Sequence, residues 1–373
     1  MSEDTKGFGD LAAEVQAKGL CNKCGGCLTF CSAGEFNALA AGPDGTPVMV
    51  DESKCLHCGV CYLICPQIKV LDQELRKKTR WKPPIGPQRR LASARASSRK
   101  VRRLATDGGL VTALLTYALK KHLIQAAIVS RRIGPLARRP MVATSPEALL
   151  DAAGSHFDES QPVHALGDQY TTFSPSVREV KWLGKGDVER IALVGTPCQI
   201  FTIKKMQLLN VLPADSVVLT IGLFCMESFS FNAKTRRALE KKLAVKLGQV
   251  RKLNIKDDVL VTTSKKEAIH IPFNVMDEFA RPACFACTDF ACEYADISCG
   301  GIGSPDGYTT GVLRTTVGET LYNRAKEDGA IEELTYRTPD ERRNAGTEMM
   351  AKIVAATRRK QTRAAKRMEG GPC

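Results

Sequence analysis

From residue 104 onward the apolar positions alternate between a spacing of three or four and short unbroken runs, the pattern of helices interleaved with buried strands. Thr106 or Asp107 would cap a helix over LVTALLTYALKKH, in which Leu110, Leu114, Tyr117 and Ala118 fall at helical spacing. AAIVS at 126–130 reads as the following strand, and Ser145-Pro146-Glu147 opens a second helix with its proline in the first turn. RIALVG at 190–195, a helix from Pro197, VVLTIGLF at 217–224 and a helix from Asn232 continue the alternation. Residues 249–273 break it: short alternating runs around Asp257-Asp258 and Lys265-Lys266 predict an antiparallel hairpin or a three-stranded ribbon. The expected fold class is mixed α/β: a small ferredoxin-like domain, then a larger α/β domain with an inserted antiparallel β part.

Four segments follow. Residues 1–72 are a head holding eight of the fifteen cysteines. Residues 73–103 are a basic connector whose Pro83, Pro84 and Pro87 suggest an extended path. Residues 104–335 are the α/β body, and 336–373 a basic C-terminal helix or tail. In the last segment Met349, Met350, Ile353, Val354 and Thr357 share a helical face that would pack on a partner or on the chain's own body.

With 373 residues, 43% of them hydrophobic, the chain can form two or three domains with a sizeable core, which excludes global disorder. No apolar run reaches the roughly 18–20 residues of a membrane span, and the polar N-terminus is unlike a secretory leader. Cysteines grouped at metal-ligand spacing predict a reducing, cytoplasmic setting. The net charge of +14 is unevenly spread. Twelve Lys and Arg fall within 76–103 and seven within 351–367, without an acid in either stretch, so the rest of the chain is mildly acidic. With no helix-turn-helix, zinc finger or aromatic RNA-binding pattern, these stretches predict docking to an acidic subunit or plain solvated segments, and no nucleic-acid partner.

Cys21, Cys24, Cys27 and Cys31 are separated by two, two and three residues, and Cys55, Cys58, Cys61 and Cys65 repeat that spacing ahead of Pro66. Three thiolates at consecutive short spacing wrap one 4Fe-4S cubane, and the fourth is directed to the cluster of the other motif. The expected sets are Cys21, Cys24 and Cys27 with Cys65, and Cys55, Cys58 and Cys61 with Cys31. The head resembles bacterial two-cluster ferredoxins. Gly25 and Gly59 suit a tight backbone that turns amides toward sulfur, and His57 is expected beside the second cluster without ligating it.

In the body, Cys198 stands at a strand-to-helix turn, Cys225 ends the strand GLFC, and Cys284 and Cys287 form a CxxC. Four thiols from three segments suit one more 4Fe-4S cluster; a nucleophilic Cys198, a redox disulfide or inert buried thiols are the alternatives. Cys292 could replace one of the four, Cys299 reads as core, and Cys373 lies in the tail. Two glycine turns, Asp107-Gly108-Gly109 before a helix and Gly300-Gly301-Ile302-Gly303-Ser304 after the strand ADISC, could bring amides to a phosphate. Neither fits the GxGxxG dinucleotide fingerprint.

TDGGLVTALLTYAL (106–119), VGTPCQI (194–200), GLFC (222–225) and CFACTDFACEYADISCGGIGSPDGYTT (284–310) resemble the beta-subunit family of coenzyme F420-reducing hydrogenase and F420-dependent formate dehydrogenase, to which a plant chlorophyll-cycle reductase is related. The resemblance covers roughly 104–335. It implies an FAD in the body, a 4Fe-4S cluster on Cys198, Cys225, Cys284 and Cys287, and hydride exchange with coenzyme F420 as substrate. It places flavin contacts at Thr106, Asp107, Gly108, Gly109, Gly300, Gly301, Gly303, Ser304 and Tyr308.

With the head, that makes three 4Fe-4S clusters, serving a partner hydrogenase, formate dehydrogenase or heterodisulfide-reductase-type subunit. Arg131, Arg132, Arg138 and Arg139 would line the approach of the anionic deazaflavin or form a solvated loop. A flavin converts single electrons into hydride without a protein acid or base, in keeping with only five histidines. A ferredoxin-dependent reductase of an organic substrate, or a non-catalytic electron conduit, would share these features.

Overall fold

The computed structural model describes residues 5–134, 137–154, 170–171, 176–180, 188–231, 233–246, 249–255, 258–263, 265 and 267–369; Cys373 lies outside them. The head carries helices α1 (Gly26–Ala33) and α2 (Val60–Leu63), one at the end of each cysteine motif. A small antiparallel hairpin, Leu39–Ala41 with Pro47–Met49, separates them.

An eight-stranded mixed sheet forms the body. Its strands are β1 (Arg90–Ala96), β2 (Ala126–Gly134), β3 (Ala137–Ala143), β4 (Ile191–Gly195), β5 (Val217–Leu223), β6 (Ile297–Gly300), β7 (Thr309–Leu313) and β8 (Ile331–Glu333), in the order β8-β1-β7-β6-β5-β4-β2-β3. The central four, β6, β5, β4 and β2, run parallel, and antiparallel pairs extend both edges. Parallel strands need cover on both faces, and the alternation along them supplies it. On β2, Ala127 and Val129 join one core with Leu110, Leu114 and Tyr322, while Ala126 and Ile128 join another with Ile200, Ile203 and Met206.

Helix α3 (Leu110–Lys120) begins at Gly109, whose φ of 78° makes a left-handed N-cap that a side chain would strain, and buries Leu110, Leu114 and Ala118. Helix α4 (Pro197–Leu208) follows β4 with proline in its first turn. The expected ribbon at 249–273 is three-stranded and antiparallel: Val250–Ile255, Val259–Thr263 and Ala268–Ile271. Among the described residues no helix is long and apolar enough to cross a membrane.

One expectation changes and one alternative is decided. The segment 73–103 is no simple extended connector: it contributes the end of helix Asp72–Thr79, strand β1 inside the main sheet, and helix Arg99–Leu104. Ala92, Ala94 and Ala96 are buried at strand spacing, while Arg90 and Arg95 pair with Glu333 and Glu332 on β8. Small side chains carry the buried face, so the arginines masked the period. The C-terminal segment is the long helix α5 (Pro339–Met368), which covers its own body: Met349, Ile353, Thr357, Lys360 and Ala364 are buried.

The head is seated on the body. Ile64 and Leu75 enter the α4 core, and the Thr29 hydroxyl donates to the Val177 carbonyl at 2.9 Å. Lys205 on α4, fully buried, donates through Nζ to the carbonyls of Cys65 (3.1 Å) and Ile68 and pairs with Asp72 at 3.1 Å.

Candidate functional site

The two head motifs have the same backbone. Lys23 and His57, each just before the second cysteine of its motif, sit at φ 52° and 50°; Gly25 and Gly59, each just after it, sit at 86° and 71°. Left-handed residues on both sides of a cysteine fold the chain tightly around its sulfur, and the Lys23 amide donates to Cys21 Sγ at 3.4 Å. Cys21, Cys24, Cys27, Cys61 and Cys65 line one recess; Cys31, Cys55, Cys58 and Cys61 line the next. Cys65 thus stands with the first motif's trio and Cys31 with the second's, while Cys61 lies at both recesses. His57 is exposed at the second recess.

Burial pushes the Cys61 and Cys65 thiols up to about 12 and also raises Cys27 well above the ordinary thiol value, where Cys24 and Cys65 add like charge. Thiols so placed ionise when a bound cationic centre takes their charge. That donor chemistry fits iron–sulfur ligation.

In the body, Cys198 lies in the first turn of α4, 3.3 Å from the Thr196 hydroxyl. Cys225 follows the end of β5, and Cys284 Sγ accepts the Ser228 amide at 3.4 Å. Cys198 feels the charges of Cys24, Cys287 and Cys225, and Cys225 those of Cys284 and Cys287, so the four thiols are electrostatic neighbours drawn from three segments, although among the described residues no three of them are close enough to hold a single metal ion. Burial raises Cys225 to about 12 and carries Cys198 and Cys284 upward as well. Cys292 is packed away: a Cβ added at Gly222 would lie 2.2 Å from its Sγ, and its neighbours are the α4 core. Cys299 is buried in β6.

Basic side chains that the sequence reading assigned to a tail, or passed over, stand among these thiols. Lys360 of α5 is 1% exposed, and its Nζ donates to the carbonyls of Cys225 at 2.6 Å and Asp289 at 2.9 Å. Arg363, one turn on, pairs with Glu227 and donates to the Met226 carbonyl at 3.1 Å. Arg281 donates to the Asn22 carbonyl at 2.6 Å, and its charge reaches both Cys21 and Cys284. The signal for Lys360 was present: residues 349, 353, 357, 360 and 364 keep helical spacing, so Lys360 falls on the apolar face.

A cavity of about 390 Å³ opens at the carboxyl ends of β2, β4, β5 and β6, lined there by Ser130, Gly195, Leu223 and Gly300. This is where parallel sheets of this kind receive ligands, and the N-termini of α3 and α4 face it, favouring anions. Thr106, Asp107, Gly109 and Gly300 line it. Gly108 is wedged behind, where an added Cβ would sit 2.7 Å from the Ala94 carbonyl oxygen, and Gly301 abuts the Asp107 carboxylate.

Gly303, Ser304 and Tyr308 are not among the lining residues. Gly303 packs on Met349, Ser304 hydrogen-bonds Ser93 at 2.7 Å and Thr310 at 2.6 Å, and the Tyr308 ring lies 4.9 Å from the Arg95 guanidinium. That turn seats α5 and the edge strands. Arg138 reaches the cavity wall, donating to Ser130 Oγ at 2.6 Å and the Gly154 carbonyl at 3.0 Å. Arg131 and Arg139 are paired across the β2–β3 hairpin away from the lining, and the Arg132 side chain lies outside the described set.

The sites form a row. Cys61 borders both head recesses. Cys24 and Cys198 are electrostatic neighbours across the head–body junction, and Cys225 belongs both to the body thiols and to the cavity wall.

Comparison with known proteins adds a lineage. Residues 91–166 match a family profile described as coenzyme F420 hydrogenase/dehydrogenase, beta subunit N-term, and 188–338 the corresponding C terminus. Residues 48–67, around the second head motif, match a 4Fe-4S binding domain. The chain is 30% identical over 276 residues to coenzyme F420 hydrogenase subunit beta of Methanosarcina barkeri, covering 73% of this chain and 89% of that one. Identity to the subunit of the same name from Methanothermobacter thermautotrophicus is 30% over 284 residues, or 74% and 93% of the two. A chain in a structure of the F420-reducing [NiFe] hydrogenase complex from Methanosarcina barkeri superposes with a TM-score of 0.59 at 29% identity, covering 73% of this chain and 92% of that one.

Proposed function

Because the chain belongs to the coenzyme F420 hydrogenase/dehydrogenase beta-subunit family, we propose that it is an iron–sulfur flavoprotein subunit exchanging hydride between FAD and coenzyme F420, coupled to a partner hydrogenase, formate dehydrogenase or heterodisulfide-reductase-type subunit. The observation that carries this reading is the row: two head thiol sets sharing a border at Cys61, a body set next to Cys24, and a cavity reached at Cys225.

In this reading Cys21, Cys24, Cys27 and Cys65 hold one 4Fe-4S cluster, Cys31, Cys55, Cys58 and Cys61 a second, and Cys198, Cys225, Cys284 and Cys287 a third. Thr106, Asp107, Gly109 and Gly300 receive FAD. When bound, the clusters supply one-electron steps and the flavin interconverts these with two-electron hydride exchange.

The chain's residues provide placement and electrostatics. The Lys23 and Ser228 amides donate to Cys21 and Cys284 sulfurs, favouring the thiolate form. The N-termini of α3 and α4 would offer amides to the phosphates of a bound flavin, with Arg138 as a positive charge at the cavity wall. Leu110, Val129, Val194 and Phe224 make part of that wall apolar, which would keep water from a bound ring system. No side chain is assigned as a proton donor or acceptor.

The test is cofactor analysis of anaerobically purified protein together with the deazaflavin reaction. One FAD and about twelve irons per chain are expected, with bleaching of coenzyme F420 absorbance on addition of reduced methyl viologen. Full FAD and iron without bleaching would overturn the reading.

A further inference from the structure

Lys360 is a fully buried ammonium on a helix that begins at residue 339, beyond the last residue matched by the family profile. Burying a charge is costly unless it is compensated. Among the described residues no carboxylate lies within ion-pair distance of its Nζ, which donates to the backbone carbonyls of Cys225 and Asp289. It stands within electrostatic reach of Cys287, Cys225, Cys284 and the Asp289 carboxylate. Thiolates of a bound body cluster, together with Asp289, would supply the compensating charge.

The helix is anchored on both sides of this residue. Met349 and Ile353 enter the core beneath the ribbon, with Met349 against Gly303, and Arg363 is tied to Glu227 and Met226. Lys360 is therefore held rather than swinging.

We propose that Lys360 is a positioning residue that sets the reduction potential of the body cluster: helix α5 closes over Cys225, Cys284 and Cys287 and fixes a permanent positive charge beside them. The assignment rests on the reading of those thiols as cluster ligands. One-electron reduction of a cluster there would add one negative charge, with the electron arriving from the cavity side or the head side. A fixed cation stabilises the more negative state and raises the potential, and through the Cys225 carbonyl it also fixes the loop carrying that thiol. Lys205, at the Cys65 carbonyl, differs in having Asp72 as an ion-pair partner, which offsets its charge.

The experiment is an EPR-monitored redox titration of anaerobic full-length protein with iron and spin quantitation. Wild type is compared with Lys360→Gln, Lys360→Met, Lys360→Arg and, as control, Lys366→Gln at an exposed position of the same helix. The expected result is that one of three cluster signals moves to more negative potential in the Gln and Met variants at wild-type iron content. The other two should stay fixed, K360R should remain closer to wild type, and K366Q should be silent. Should K360M lose iron, K360Q, which keeps a donor without the charge, carries the reading. An unmoved potential in an iron-replete K360Q or K360M overturns the proposal. Wild-type protein with iron for only two clusters overturns it too, and marks the failure as that of the ligand reading beneath it.

Discussion

Thr202 Oγ1 lies 3.6 Å from Cys24 Sγ and donates to the Cys198 carbonyl at 2.9 Å. A single side chain of α4 thus touches one thiol of the head and the turn that carries the first thiol of the body. Its methyl group meets the head as well, because a Cβ added at Gly26 would lie 2.2 Å from Thr202 Cγ2.

The head should therefore detach on a one-carbon change. Gly26→Ala overpacks the junction and is expected to cost about 1–3 kcal/mol and to slow electron exchange between head and body. Thr202→Ser removes Cγ2 and keeps the hydroxyl, so the double variant G26A/T202S should recover most of the loss. Thermal melts and stopped-flow reduction of the four proteins form a double-mutant cycle. Additive losses would show that the two positions do not meet.

Iron content should separate the two kinds of body cysteine. Cys198→Ser is expected to lose about four of about twelve irons and to leave the head spectra intact. Cys292→Ala should keep its iron and lose about 1–3 kcal/mol of stability, since this thiol fills the space over Gly222. Iron loss in C292A with full retention in C198S would exchange their roles.

The ferredoxin spacing was legible because three ligands of each set lie within seven residues, so local geometry determines them. The order of helices and strands was legible for a similar reason, as Leu110, Leu114 and Ala118 or Ile191 and Leu193 carry period and burial together. Strand β1 was not: alanines form its buried face, and the visible arginines serve Glu332 and Glu333 across the sheet. Lys360 was overlooked despite its helical spacing, since a run of basic residues reads as solvated until tertiary contacts place one of them on buried carbonyls. Gly303 and Ser304 misled in the opposite sense, because a glycine turn after a strand can serve close packing, here of Met349, as well as a phosphate.

Stability should depend on pH through Glu293. Burial first, and the nearby Asp289 second, push its carboxyl up to about 8, with Trp81 Nε1 donating to it at 2.5 Å. Below about pH 4.5 the acid is protonated in folded and unfolded chains alike. Between about 4.5 and 8 the folded state retains a proton that the unfolded chain releases, so stability falls as pH rises, by at most about 1.4 kcal/mol per unit. Above that window the loss is complete. Glu293→Gln should flatten the melting temperature against pH across the window and be the more stable protein at pH 8. Parallel profiles for the two proteins would refute the assignment.

Arg314 donates four hydrogen bonds from a buried position, and its replacement should be correspondingly severe. The guanidinium is 3% exposed and donates to Ser298 Oγ at 2.6 Å, to the Ile85 and Pro87 carbonyls at 2.7 Å each, and to Ala291 at 2.9 Å. It joins the proline-bearing loop before β1 to the segment between the CxxC and β6. Lysine carries the charge but not the planar fork, so with three donors for four acceptors Arg314→Lys leaves at least one buried acceptor unsatisfied and is expected to cost about 1–3 kcal/mol. Arg89→Lys, two residues beyond the same loop, alters an exposed pair with Glu319 and should stay within about 0.5 kcal/mol. Limited proteolysis within 81–89 gives a second readout: faster cleavage in R314K than in R89K is expected if Arg314 holds this loop down, and equal rates would place the anchor elsewhere.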